Sequence, residues 1–270
     1  MKLQHLLLVP LLALGLVLAP PKAEAAIITD IVIIVDESGS MGTVQTNLRN
    51  TIGQFASILA AGGLDARFAL VGYGNAQIIP RLLSDLTSAA NFAAAAAGLQ
   101  INGFTEPGYL ATLFALNALD NQNPLISFRS NSIKNIIIFT DEPSNGDIIA
   151  RGTYQGAQVT QSVVDGVLKD NNALFNAVLS GASTINSYSA LATDNGGQVF
   201  NLSLFNTTNQ QQISNFVDDF AASKLRETLD FCVINPTAPA CNPGTISAPA
   251  TMALFGLGVM LLGLRRRNRS

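Results

Sequence analysis

The stretch Ile31-Val32-Ile33-Ile34-Val35 runs without interruption into Asp36-Glu37-Ser38-Gly39-Ser40-Met41. Five apolar, mostly β-branched residues in a row suit a strand buried on both faces, which is the environment of a central strand in a parallel sheet. At its end three oxygen-bearing side chains stand at a spacing of two: Asp36, Ser38 and Ser40. Open α/β sheets hold their ligands at such strand ends, so this stretch limits both the fold class and the location of a site. Taken alone, Asp-x-Ser-x-Ser also reads as a capped helix start, with Ser40 or Thr43 as the N-cap.

The rest of the chain supplies matching elements. Thr43 to Ala61 has apolar residues at helical spacing and stops at Gly62-Gly63. Ala66–Tyr73 and Gln77–Leu83 flank a turn at Gly74-Asn75 and predict an antiparallel hairpin. Helices are expected over Ser88–Leu99 and, with Pro107 in its first turn, Gly108–Leu119. Lys134–Thr140 holds a second buried run, Ile136-Ile137-Ile138-Phe139, and it too ends on an acid, Asp141. Further elements follow: helix Gln158–Lys169, strand Leu174–Leu179, helix Ile185–Thr193, strand Gln198–Leu202 and helix Gln210–Leu229. The order predicts one α/β domain of about 200 residues, spanning 26–229.

Absences narrow the chemistry. The only histidine is His5, in a segment expected to be removed. Without it the chain has no Ser-His-Asp or Cys-His mechanism and no imidazole for zinc. No Gly-x-x-x-x-Gly-Lys phosphate loop is present. Between residues 26 and 247 there are 17 acids against 9 bases, which makes nucleic acid an unsuitable partner and favours cations.

The two ends read as sorting segments. Lys2, the apolar run Leu6–Ala19 and the small residues of Ala23-Glu24-Ala25 predict a signal peptide over 1–25 and a mature start at Ala26; an uncleaved anchor is the other reading. Residues 230–247 read as a Pro-rich linker. Cys232 and Cys241 flank its first half, and in an exported protein two cysteines most simply pair. Ala248 to Leu264 is uncharged and largely apolar, long enough for about 25 Å of helix, and is followed by Arg265-Arg266-Arg267-Asn268-Arg269. A span at the short limit is expected, with the arginines cytoplasmic and the acidic domain outside.

If the strands ending at Asp36 and Asp141 are neighbours, their acids meet at a topological switch point with Ser38 and Ser40 between them. Carboxylates and hydroxyls are hard donors, suited to Mg²⁺ or Ca²⁺. Together with Gly103-Phe104-Thr105-Glu106-Pro107-Gly108 and Ile137-Ile138-Phe139-Thr140-Asp141, the opening stretch resembles the von Willebrand factor type A domain with its metal-ion-dependent adhesion site. The resemblance covers Ile27 to Leu229. It implies a doubly wound, mostly parallel sheet with one antiparallel edge strand and helices on both faces. It implies a Mg²⁺ ion (or Ca²⁺ or Mn²⁺) held by the hydroxyls of Ser38, Ser40 and Thr105, with Asp36 and Asp141 acting through bound waters. An acidic group of a protein or polysaccharide partner would complete the shell. Glu142-Pro143 stands where relatives often have glycine, so Glu142 and Glu106 are either extra carboxylates crowding the metal or solvated loop acids. The loops Gln122–Ser132 and Pro143–Gln155 are expected to choose the partner.

The tail resembles the PEP-CTERM sorting signal of Gram-negative bacteria, with Ser247-Ala248-Pro249 where Pro-Glu-Pro is expected. That resemblance implies an exosortase-type processing enzyme and at least transient residence of the tail in the inner membrane. The combined expectation is a non-enzymatic, cation-dependent binding module at the cell surface or in the matrix. The alternative is a structural matrix protein whose metal site only stabilises the fold.

Overall fold

The computed structural model describes residues 26–241. The expected signal peptide, the apolar run expected to span a membrane and the arginine cluster lie outside the described residues. Among the described residues no helix is long and apolar enough to cross a membrane.

Six strands form one sheet. β1 is Ile27–Asp36, β2 Leu64–Tyr73, β3 Arg81–Thr87, β4 Ile133–Thr140, β7 Leu174–Leu179 and β8 Val199–Asn201. A two-stranded hairpin, β5 (Thr153–Tyr154) and β6 (Ala157–Gln158), interrupts the connection after β4. The helices are α1 Gly42–Ala61, α2 Ala89–Ala95, α3 Gly108–Ala115, α4 Gln161–Asp170, α5 Ala182–Asp194 and α6 Gln210–Ile234. The sheet order is β3-β2-β1-β4-β7-β8, parallel throughout except for β3 at the edge. This is the expected doubly wound α/β architecture. The chain leaves β1 on one side to build β2 and β3, then returns to build β4 on the other, so strand order reverses between β1 and β4.

The alternation along β1 explains why it lies at the centre. Ile31, Ile33 and Val35 face α1, α2 and α6, where they meet Leu48, Phe55, Phe92 and Phe220. Val32 and Ile34 face the other layer, where Leu110 of α3, Val164 of α4 and Leu191 of α5 cover them. All five are buried, and each contributes about 1.5–3 kcal/mol by leaving water. A strand apolar on both faces is stable only with helices on both sides.

Element boundaries move at the ends. β3 starts at Arg81, four residues after the expected Gln77, and α3 stops at Ala115. α6 runs to Ile234, beyond Leu229, so Cys232 sits in its last turn. After α6 the chain folds back, and the 3₁₀ turn Pro239–Cys241 packs Ala240 against Ile133 and Leu174. Cys232 and Cys241 are joined by a disulfide. The first half of the expected linker therefore forms part of the end of the sheet opposite Asp36.

The loop Gln122–Ser132 also lies at that opposite end, contrary to the expectation that it borders the site. Arg129 donates from its backbone N to Asp30 Oδ2 and from Nε to Asp30 Oδ1, both at 2.7 Å, and Ser132 Oγ donates to Asp30 Oδ2 at 2.7 Å. Asp30 precedes Asp36 by six residues along β1, about 20 Å of strand. Buried Asp30 needs a partner, and the loop supplies one.

Candidate functional site

Asp36 closes β1 and is fully buried. Its side chain lies on the α3–α5 side of the sheet beside Thr140 of β4, whose Oγ1 donates to Asp36 Oδ2 at 2.9 Å. The backbone N–H of Ser38 donates to Asp36 Oδ1 at 2.7 Å, the tight turn that an Asx residue makes at a helix entrance. Ser38 Oγ and Ser40 Oγ share a hydrogen bond at 3.0 Å, and Ser40 Oγ donates onward to Asp141 Oδ1 at 3.0 Å. With the Ser40 proton committed to Asp141, Ser38 is the donor to Ser40. Thr184 Oγ1, at the start of α5, donates to the carbonyl of Asp141 at 2.9 Å and fixes that loop.

Four of the five expected residues, Asp36, Ser38, Ser40 and Asp141, are thus joined in one hydrogen-bonded chain. Thr105 is carried to the same end of the sheet by its loop. Gly103 N donates to Glu37 O at 3.1 Å, and Ser38 and Gly103 form a parallel bridge. The loop comes so close that a Cβ on Gly103 would fall 1.5 Å from the carbonyl oxygen of Gly74, which leaves no room for another residue type. Thr105 is half-buried, its methyl lies against Gly146, and its hydroxyl makes no hydrogen bond among the described residues.

The loop after Asp141 clamps the threonine loop. Asn145 Oδ1 accepts from Glu106 N at 3.1 Å, and Asn145 N donates to Glu106 O at 2.9 Å. Ser144 Oγ accepts from Tyr109 N at 2.9 Å, and Asp147 Oδ1 accepts from Leu110 N at 2.9 Å. Together they satisfy the free N–H groups of the first turn of α3. Burial raises the Asp147 carboxyl to about 6, against the lowering pull of Ser144 and the Leu110 N–H.

The two additional acids separate. Glu142 is exposed, as a solvated loop acid should be. Glu106 is buried and bonds to Asn145 Nδ2 at 3.0 Å. Its carboxyl is raised by burial, against the pull of Asn145, and further by the charges of Glu142 and Asp141. Burial likewise raises Asp36 to about 7, with Glu106 adding to the shift, while the Ser38 and Thr140 hydrogen bonds oppose it.

Two residues outside the expected ligand set, Thr140 and Glu37, complete the site. Thr140 is the hydroxyl directly before Asp141, and the signal for it was its position as the last residue of a buried strand. Glu37 points away from Asp36 and is fully buried in an ion pair with Arg81. Arg81 Nε donates to Glu37 Oε2 at 3.0 Å, Asn75 Nδ2 to the same oxygen at 3.1 Å, and Gln100 N to Oε1 at 2.7 Å. Glu37 is a brace that ties the end of β1 to β3 and to the threonine loop. Only the Arg81 side of the pair carried a sequence signal, as a base in an otherwise acidic body.

The donor set is oxygen only, two carboxylates and three hydroxyls. No lysine or arginine pairs with Asp36 or Asp141 among the described residues, so a buried carboxylate stands without a compensating cation. Such a set fits a hard divalent ion. Among the described residues no three His, Cys, Asp or Glu side chains form a metal cluster, so hydroxyls would have to supply the remaining ligands.

The profile of the von Willebrand factor type A domain matches residues 30–216. Domains of this type often bind divalent cations. No curated protein sequence matches the chain. Among solved structures the chain is similar in fold to proximal thread matrix protein 1 from the mussel byssus, with a TM-score of 0.50 at 16% identity. The match covers 73% of this chain and 46% of that one, so this chain spans less than half the length of the mussel protein.

Proposed function

We propose that this chain, which belongs to the von Willebrand factor type A domain family, is an exported, non-enzymatic binding module that engages its partner through a divalent cation. The observation that carries the reading is the Ser38–Ser40–Asp141 hydroxyl chain at the mouth of buried, cation-free Asp36. Asp36, Ser38, Ser40, Thr105 and Asp141 would hold Mg²⁺, or Ca²⁺ or Mn²⁺. The ion would supply an open position for a carboxylate of a protein or polysaccharide. Neutral hydroxyl ligands leave much of the metal's charge uncancelled, which suits an acidic partner group.

Two of the neighbouring acids, Glu37 and Glu106, support binding over catalysis. Glu37 is committed to Arg81, and Glu106 to Asn145. Neither is free to act as a general base, which must reach the proton it removes. Export is supported by the disulfide, which persists in oxidising compartments, and by the leader-like residues 1–25. The resemblance of the tail to a PEP-CTERM signal supports a position at the surface of a Gram-negative cell, where an exosortase-type enzyme would process it. The fold shared with a byssus matrix protein is compatible with a matrix setting.

Phe104 is 74% exposed on the threonine loop, and Ile101 and Ile149 stand on the same loop and on the loop after Asp141, at 58% and 61%. Such apolar side chains around a polar centre give a partner protein contact area beyond its acidic group. The test is binding of the protein to cells, matrix or polysaccharide with and without EDTA, and in Asp36→Ala. Loss in both supports the reading. Binding indifferent to both refutes it and leaves the structural matrix role.

A further inference from the structure

A second candidate site lies on the flank of the domain, between edge strand β8 and the first half of α6. It is a groove of about 450 Å³ floored by Phe200 and Leu204. The Phe200 ring packs edge-on against Phe220 at 4.7 Å and Phe216 at 6.5 Å between centroids. Three asparagines and one acid, Asn201, Asn209, Asn215 and Asp219, line its walls.

These asparagines share one arrangement. Asn201 Oδ1 accepts from Ser203 N at 2.9 Å. Asn209 Oδ1 accepts from Gln211 N at 3.1 Å and Gln212 N at 3.2 Å, capping α6. Asn215 Oδ1 accepts from Gln211 Nε2 at 2.8 Å. Asn201 and Asn209 are oriented by backbone N–H groups and Asn215 by the Gln211 side chain, and among the described residues their Nδ2 donors carry no hydrogen bond. Asp219 has neither a hydrogen bond nor an ion pair among the described residues, so its oxygens remain open acceptors.

The groove therefore offers oriented neutral donors, one carboxylate acceptor, an aromatic floor and no basic side chain. A phosphate, sulfate or carboxylate ligand would meet Asp219 with nothing to offset the repulsion. A purely apolar ligand would strip water from the amides without replacing it. A sugar ring matches: its hydroxyls both accept from amides and donate to a carboxylate, and its C–H face packs on an aromatic ring. Donors already fixed in place lose little freedom on binding. We infer that the β8–α6 groove binds a neutral polysaccharide, independently of any cation held at Asp36.

The experiment is native affinity electrophoresis of the full chain through gels containing dextran, galactomannan or xyloglucan, each run with EDTA, which carries the test, and again with Mg²⁺, which shows any cation requirement. Retardation in at least one gel is expected, with at least tenfold weaker binding by the double variant N215A/D219A. Both residues are exposed on α6, so the thermal midpoint of that variant should stay unchanged. No retardation in any of the three gels overturns the inference, as does equal retardation of the variant. Retardation that requires a divalent cation would assign sugar binding to the Asp36 site and also overturns it.

Discussion

The Thr140 hydroxyl donates to Asp36 Oδ2 at 2.9 Å, joining the ends of β1 and β4 where strand order reverses. The same hydroxyl accepts from Glu142 N at 3.1 Å, so Thr140 sets both the orientation of Asp36 and the path of the loop beyond Asp141. Thr140→Val keeps the shape and removes the hydroxyl. We expect Mg²⁺ affinity to fall about tenfold, as it does when a partner that orients a metal-binding residue is lost. The protein should be destabilised by about 1–2 kcal/mol, because Asp36 and the Glu142 N–H lose a buried partner. Titration calorimetry with Mg²⁺ checks the first figure and denaturant unfolding the second; unchanged metal affinity would remove Thr140 from the site.

Asp36 gives the site a pH dependence of definite sign. Burial raises its carboxyl from 3.8 to about 7 in the metal-free fold. Between those values the native state holds a proton that the unfolded chain has released, so this group makes the metal-free protein less stable as pH rises from about 4 to about 7. Above 7 its effect is constant. A bound cation needs the ionised form, so protons and metal compete. Mg²⁺ affinity should fall towards tenfold per pH unit below about 7, and the rise in Tm caused by Mg²⁺ should be larger at pH 7.5 than at 5.5. Equal Tm shifts at the two values would show that Asp36 does not bind the ion or its waters.

Glu37 holds the scaffold of the site. It takes hydrogen bonds from Arg81, Asn75 and the Gln100 backbone while fully buried. A Cβ on Gly72 would lie 2.7 Å from its carboxylate, so β2 has a glycine where the side chain crosses. Glu37→Ala leaves the Asn75 and Gln100 donors and the Arg81 charge without their acceptor. We expect a loss of about 3 kcal/mol, reduced at the Arg81 side because that guanidinium keeps access to water. Urea unfolding measures it; a loss below about 1 kcal/mol would mean the brace is dispensable.

The contrast between Asp36 and Glu37 shows what was legible in the sequence. Asp36 followed from period and position: a five-residue buried run has to end at one edge of the sheet, and the first polar residue there lies in the ligand crevice. The sequence assigned Glu37 no partner, because its partners come from the β2–β3 turn, β3 and the run leading into the threonine loop, 38 to 63 residues away. The same limit hid the role of Glu106, whose burial depends on Asn145, 39 residues on. It also misplaced the Gln122–Ser132 loop, since only Arg129 reaching Asp30 shows at which end that loop lies. Periodicity marked the six strands of the main sheet along the chain, and the family resemblance implied how they are arranged in it. Side-chain pairings between distant loops leave no period to read.

The clamp at Asp147 ties loop stability to the threonine loop. Asp147 accepts from Leu110 N at 2.9 Å and from Ser144 Oγ at 2.6 Å, and so caps α3 directly after Thr105-Glu106-Pro107. Asp147→Ala should cost about 1–2 kcal/mol as a lost helix cap and weaken metal binding through the loosened Thr105. Asp147→Asn keeps an acceptor for Leu110 and should recover most of both. Thermal unfolding and Mg²⁺ titration of the two variants test this; equal effects of Ala and Asn would point to charge and not to the cap.

The disulfide acts at the far end of the same helix layer. Cys232 in the last turn of α6 is joined to Cys241, nine residues on, and the short loop between them holds Ala240 against Ile133 and Leu174. On the chain-entropy argument a loop of this size stabilises by about 2.5 kcal/mol. Breaking it also frees the turn that covers the start of β4, so part of the packing around Ala240 should go with it. The double variant Cys232→Ser/Cys241→Ser is expected to lose about 2–3 kcal/mol while keeping its Mg²⁺ affinity, because Asp36, Ser38, Ser40 and Asp141 lie at the other end of the sheet. Unfolding curves of oxidised, reduced and double-variant protein measure the loss, and metal titration of the same samples measures the affinity. A fall in affinity on reduction would show that the two ends of the sheet are coupled through α6, against the independence expected here.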